Sequence, residues 1–304
     1  MPVWLNGGIE LGLIYALMAL GVYITFRILD FPDLTVDQSF TTGAAVAAVM
    51  ITNGVSPWVA SLAGFGAGAV AGVLTGLLHT KGKINGLLSG IIMMIALYSI
   101  NMRIMGKPNI GLLGSDIVTV FSGVKVLVIM PIIVIVVKLL LDLFFKTDMG
   151  LSLRATGDNE RMIRSFGTNT DNTKILGIAL SNGLVALSGS LIAQQSGFAD
   201  ITMGVGMIVI GLASVIIGEA IFGSRSVFQA TLAVVLGAII YRLIYALALR
   251  SDFLDASDLK LITAIIVIVA LVIPTMQKSW RQKSLARKRT AELLKDLAGK
   301  GGGR

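Results

Sequence analysis

The chain has 304 residues, of which 55% are hydrophobic and 14% charged, with a formal net charge of +8 and a mean hydropathy of +0.86. A soluble domain carries roughly a quarter charged residues, and a water-soluble protein of this length has too little interior to hide so much apolar surface. Cysteine is absent and His79 is the single histidine. That excludes a disulfide framework, thiolate chemistry and a cysteine metal site, and it leaves metal catalysis little to work with.

At the N-terminus no basic residue precedes Leu11, Glu10 stands before the apolar run, and no small-residue cleavage site follows. The first apolar run therefore reads as a retained span, not a cleaved signal. Long, nearly uncharged runs mark spanning helices. Nine membrane segments are expected, near 5–26, 34–52, 57–78, 86–105, 125–144, 174–195, 205–222, 227–249 and 259–275. The fold class is an all-α polytopic membrane protein, with a transmembrane domain over 1–275 and a basic tail over 276–304. The second segment opens with Asp30-Phe31-Pro32-Asp33-Leu34-Thr35-Val36-Asp37-Gln38, too polar to face lipid. Irregular polar backbone at membrane depth survives only inside protein or beside water, so a broken or re-entrant second helix is expected.

Lys and Arg set the orientation. With the N-terminus outside, Arg27, Lys81, Lys83, Lys146, Arg154, Arg161, Arg164, Lys174, Arg225 and the basic tail all fall on the inner side, and the loop 196–204 has none. An N-out, C-in topology is expected. The tail, with Leu293, Leu294 and Leu297 on one side of a basic helix, is expected on anionic lipid headgroups and not on nucleic acid.

The long polar stretch inside the chain is 146–173. Within it Asp158 reads as the cap of a short helix, because a carboxylate satisfies free amides at a helix start. Met162, Ile163 and Phe166 then share a face, Glu160, Arg161 and Arg164 surround them, and Gly167 ends the turn. Such a helix suits a groove in a partner protein or a lipid interface. These residues alone do not choose.

Arg154-Ala155-Thr156-Gly157-Asp158-Asn159, followed by Gly167, resembles the coupling-loop pattern of ABC-importer permeases of the branched-chain amino acid and ribose type. Pro32-Asp33-Leu34-Thr35-Val36 is similar to that family's second segment, with Asp37 where glycine is usual. Ser188-Gly189-Ser190-Leu191 and the 206–223 span resemble its later half, with Glu219 where a second glycine is often found. The run SNGLVALSGSLIAQQSGFADITMG looks closest to the branch for tryptophan, tyrosine or related amino acids. The resemblance implies a bacterial inner-membrane homodimer, two cytoplasmic ATPase subunits and an external substrate-binding lipoprotein. It also implies that Arg154, Asp158, Asn159, Glu160, Met162, Ile163, Phe166 and Gly167 form the ATPase-coupling element. No G-x-x-x-x-G-K-[ST] occurs in the chain, so ATP and magnesium are expected on the partner.

Polar groups inside spans are costly and mark candidate pathways. Thr35, Asp37, Gln38 and Thr41 in the second segment are the first candidates, with Asp33 and Asp37 equally readable as helix caps. Ser99 and Asn101 in the fourth segment are the next, while Arg103 reads as snorkelling to the headgroups. Glu219 is expected to pair with Arg225 or Arg154, and His79 to be a solvated loop residue. Gly64, Gly68, Gly72 and Gly76 recur every four residues, which predicts close packing of one helix face within the subunit. A weak echo between 90–99 and 206–214 suggests an inverted repeat.

The function expected is that of an importer permease for an aromatic or branched-chain amino acid, working by alternating access. The rivals are a sugar or nucleoside importer permease and an ATPase-independent secondary transporter. No catalytic residue, bound cofactor or metal site is expected in this chain.

Overall fold

The computed structural model describes residues 3–114 and 117–249, together with five isolated helical positions within 261–272. Among the described residues the helices are α1 (Val3–Tyr23), α2 (Thr35–Thr52), α3 (Pro57–Thr80), α4 (Gly86–Met105), α5 (Val126–Phe144), α6 (Asp148–Ser165), α7 (Thr170–Ser196), α8 (Met207–Phe222) and α9 (Val227–Leu249). These bounds follow the expected segments to within a few residues through 227–249. The ninth segment, 259–275, is outside the described residues but for those five positions, and the tail 276–304 is wholly outside them.

Among the described residues six helices are long and apolar enough to cross a membrane: α1 with its last turn, α3, α4, α5, α7 and α9. At 16 residues, α8 is about 24 Å long, short of a roughly 30 Å hydrocarbon core. The fold is that of a multi-pass membrane protein.

Local chemistry sets the helix ends. Ser56 precedes Pro57, whose missing amide is harmless at a first helical position. The Asn85, Thr147 and Asn169 side chains accept from the amides of Leu87, Gly150 and Asn172, capping α4, α6 and α7. Gly106 and Gly197 close α4 and α7 at φ 66° and 77°, a left-handed conformation that costs glycine little. At its C-terminal end α1 loosens into a π-helical turn, Ile24–Ile28.

The centre of the bundle is the antiparallel pair α1 and α7. In each, 78% of the apolar window is buried, against 28% in α4 and in α5. Ile14 carbonyl meets Ser188, and Gly21 carbonyl meets Ser181. The outer face of α7 receives α3, antiparallel, through the glycine stripe. A Cβ on Gly68 would lie 2.3 Å from Ala186 Cβ and 2.5 Å from Asn182 O; Gly64 faces Gly43 and Ser190, Gly72 faces Ile178, and Gly76 faces Ile175. On the other side α9 lies antiparallel on α1, with Ile239 beside Gly12 and Leu243 beside Gly8. By the same close approach α2 lies on α3 and α7, and α8 on α9. Small residues let these backbones touch where lipid supplies no hydrophobic drive.

Two features depart from the sequence reading. The second helix is unbroken from Thr35 to Thr52; the irregular backbone precedes it, over 29–34, with Asp30 at φ 51°. The break in the bundle falls at α8 instead. After α7 the chain forms a short strand, β2 (Phe198–Asp200), paired antiparallel with β1 (Asn109–Gly111), Asn109 opposite Asp200. It then turns inward over 201–206, so that Gly204 abuts the Asp37 carbonyl and Thr41 Oγ1 deep on α2. Thus α8 begins inside the bundle. The strands, three residues each, carry no periodic signal that an all-helical reading could detect.

Candidate functional site

A layer of buried polar side chains joins α2, α3, α4 and α7. Asn182 Nδ2 donates to Asp33 Oδ2 at 2.6 Å and to Ile178 O, while its Oδ1 accepts from Ser39 Oγ at 2.6 Å. The other oxygen of Asp33 accepts from the Thr35 amide at 2.9 Å. Thr35 Oγ1 and Thr75 Oγ1 share a hydrogen bond between α2 and α3. Asn101 Nδ2 donates to the side-chain and main-chain oxygens of Gln38, each at 3.2 Å, and its Oδ1 accepts from Thr42 at 2.8 Å. Asp33, Thr35, Thr41, Asn101 and Asn182 are fully buried and Gln38 nearly so. Buried polar groups persist only when partnered, and these are.

Asp37 has a different task. Its carboxylate accepts from the amides of Gly206 and Ile208 at 2.9 and 2.8 Å, capping the N-terminus of α8 from a neighbouring helix. A carboxylate there meets both the free amides and the positive end of the helix dipole. The sequence reading had Asp37 as pathway or as a cap on its own helix; its partner lies 169 residues on. Of the other pathway candidates, Thr41 borders the inward turn at Gly204. Ser99 is exposed on α4, away from buried Asn101.

The polar segment 146–173 forms α6, bent at Asn159, whose φ of −157° and ψ of 90° interrupt the helix. Its first part, 148–158, is wedged against the bundle: a Cβ on Gly157 would lie 1.7 Å from Ile28 O, and Leu153 is fully buried. The second part, 160–165, is capped by Asn159, whose Oδ1 accepts from the Met162 amide at 3.1 Å. The cap is therefore Asn159, one residue beyond the expected Asp158, which is exposed. Met162 and Phe166 are 50% and 78% exposed, and Ile163 is half-buried. Arg154 is exposed, and Gly167 follows Phe166 at φ 85°.

Glu160 fastens this projecting turn to α7. One carboxylate oxygen accepts from Lys174 Nζ at 2.7 Å and the other from Arg164, which also reaches Asp171 at 2.8 Å and Thr170. The Lys174 hydrogen bond, with help from Thr170 and Arg164, holds the Glu160 carboxyl below its usual range despite some desolvation. At the opposite end of the bundle the Thr202 hydroxyl does the same for Asp200.

Sequence reasoning missed or misassigned three charged features. Glu219 pairs with Arg27 at 3.0 Å, not with Arg225 or Arg154; all four line one polar cavity of about 320 Å³ beside α6. His79 is no loop residue: it ends α3 half-buried, Nδ1 on Ile84 O at 2.9 Å and its ring edge against Phe31. Lys138 and Asp142 form a buried ion pair inside α5, with Lys138 over the Phe228 ring and Asp142 accepting from Thr231 of α9. Their i, i+4 spacing was the available signal. Among the described residues no group of His, Cys, Asp or Glu is arranged to hold a metal ion.

The site thus consists of a short helix capped at bundle depth, a packed polar layer and an amphipathic turn outside the bundle. Residues 5–273 match the family described as the permease component of branched-chain amino acid transport systems, and the chain belongs to that family. It is 48% identical over 260 residues to the tyrosine transport system permease protein of Clostridioides difficile (strain R20291), covering 85% of this chain and 87% of that one. It is 29% identical over 173 residues to the galactofuranose transporter permease protein YtfT of Escherichia coli (strain K12), covering 56% of this chain and 50% of that one. Among solved structures it resembles PsaBC from Streptococcus pneumoniae in complex with Fab, with a TM-score of 0.57 at 15% identity, over 93% of this chain and 96% of that one. That last likeness is one of fold.

Proposed function

We propose that this chain is the membrane-spanning subunit of an ATP-binding-cassette importer that moves an amino acid, aromatic or branched-chain, by alternating access. Two copies assemble with two cytoplasmic ATPase subunits, which hold ATP and magnesium, and with an external binding lipoprotein. The α6 end faces the cytoplasm of a bacterial inner membrane, the N-terminus lies outside, and the basic segment 276–304 meets anionic lipid. The amino-acid reading is favoured over a sugar by the far greater likeness to the tyrosine permease.

The observation that carries the reading is the exposure of Met162 and Phe166 on a turn that leaves the bundle yet is fastened to α7 through Glu160 and Lys174. Apolar side chains held out on a rigid stalk suit a groove in a partner. Movement of that groove would reach α7, then α2 through Asn182 and Asp33, then the start of α8 through Asp37. In this reading Thr35, Gln38, Thr41 and Asn101 belong to the layer that rearranges, and exposed Ser99 lies outside it. The packing also supports an inverted repeat that relates α1–α3 to α7–α9: α3 lies on α7 as α9 lies on α1, and α2 on α3 as α8 on α9. The sequence echo paired α4 with α8; α2 is the better counterpart, since both are short and entered through irregular backbone.

The test is the double substitution Met162→Glu and Phe166→Glu, made in the assembled transporter. Uptake driven by ATP should fall at least tenfold while the permease still purifies folded. Undiminished uptake would remove the coupling role.

A further inference from the structure

The span α5 is apolar and largely unburied, yet two charges are held inside it. Lys138 and Asp142 are 5% and 6% exposed and pair with each other one turn apart. Lys138 Nζ also lies 3.4 Å from the centroid of the Phe228 ring, and Asp142 Oδ1 accepts from the Thr231 hydroxyl at 2.7 Å. A buried ion pair is weak ground for stability: its desolvation offsets its attraction, and apolar side chains of like volume often serve as well. Ionisable groups within a spanning helix point instead to function.

The place of the pair in the fold says which function. Helix α5 packs along α1 and, more thinly, along α9, and Lys138 and Asp142 tie it to Phe228 and Thr231 of α9. Just beyond Asp142, Phe145 is buried, and the chain turns so tightly into α6 that a Cβ on Gly150 would lie 2.2 Å from Phe144 O. Thr147, which caps α6, donates to the same carbonyl at 2.6 Å. The end of α5 and the first part of α6 therefore form one elbow. On the other side α9 carries α8, for a Cβ on Gly218 would lie 2.1 Å from the carbonyl of Ala233, two residues from Thr231. We propose that Asp142 and Thr231 are positioning residues that carry displacement of α6 through α5 and α9 to the C-terminal half of α8, with Lys138 as the countercharge. The inference rests on the coupling reading of α6 and adds a second route to it. The first route, through Glu160, α7 and Asp37, reaches the start of α8. With both, the short helix is gripped at its two ends and moves as one body.

The experiment uses the assembled transporter and reads solute uptake per ATP hydrolysed together with the melting temperature. Lys138→Met combined with Asp142→Leu replaces the pair by apolar groups of similar volume. A purely structural role predicts a folded protein with wild-type uptake per ATP. The proposal predicts a melting temperature at or above that of the wild type, with uptake per ATP lowered about fivefold or more. If the double variant does not fold, Thr231→Val decides, since it keeps the ion pair and the side-chain shape and removes only the hydroxyl. A loss of about threefold or more is expected there, while Thr231→Ser, which keeps the hydroxyl, should behave as wild type. Undiminished uptake per ATP in the folded double variant or in Thr231→Val overturns the proposal, as does an equal loss in Thr231→Ser. The coupling reading itself fails separately, when Met162→Glu with Phe166→Glu leaves uptake unchanged.

Discussion

At the scale of single residues, Asn182 is the joint of the polar layer. It alone satisfies Asp33 Oδ2 and Ser39 together, and it ties α7 to both ends of the α2 entry. Asn182→Ala should destabilise the protein by about 2–4 kcal/mol, because it leaves a buried carboxyl oxygen without its donor; chemical unfolding in detergent measures this. Glu160 makes a pH prediction. Its carboxyl is held below the ordinary 4.5 by Lys174, Thr170 and Arg164, so its contribution is complete above that value and is lost as pH falls through the lower folded pKa. The α6–α7 fastening should stay closed at pH 4.5 and open only below it. Spin labels on the 160–165 turn and on α7 would report the distance, and Glu160→Gln should abolish the pH dependence. Little at this scale was legible in advance. That Asp37 and Glu219 carry charge where glycine is usual was visible, but their partners, the α8 amides and Arg27, are set by folding and lie 169 and 192 positions away.

At the scale of elements the sequence was informative, because hydrophobic run length and helix caps are local. Pro57, Asn85, Gly106, Asn169 and Gly197 end or begin helices where the runs do. The stripe on α3 announced a close helix contact, and its partner, α7, became clear only from the packing. The stripe gives a paired prediction. Gly68→Ala would place a Cβ 2.3 Å from Ala186 Cβ and should cost about 1–3 kcal/mol. Gly66→Ala, two residues earlier on the open face, meets nothing within 4 Å and should be neutral or slightly stabilising. The short helix was misread for a physical reason. Polar sequence at 30–38 looked like a broken span, whereas the layer it enters satisfies it. The true interruption, 201–206, is small and nonpolar enough to pass for a loop.

At the scale of the whole molecule, the described bundle is built around α1 and α7, with α2 and α8 as short inner helices and the second part of α6, 160–165, projecting from it. The family match covers nearly all of the chain, and in this reading the arrangement makes α6 the handle and the α2–α8 layer the moving part. A transporter driven by an ion gradient would instead need titratable groups along a path. The buried Lys138–Asp142 pair is closed on itself and on Phe228 and Thr231, which suits a clasp between α5 and α9. The most direct measurement is uptake of radiolabelled tyrosine, leucine or other amino acids by liposomes holding this chain with its ATPase and binding protein. Accumulation should require internal or external ATP on the ATPase side together with the binding protein, and an ion gradient alone should drive none. Uptake by this chain alone under a sodium or proton gradient would contradict the ATP-driven reading.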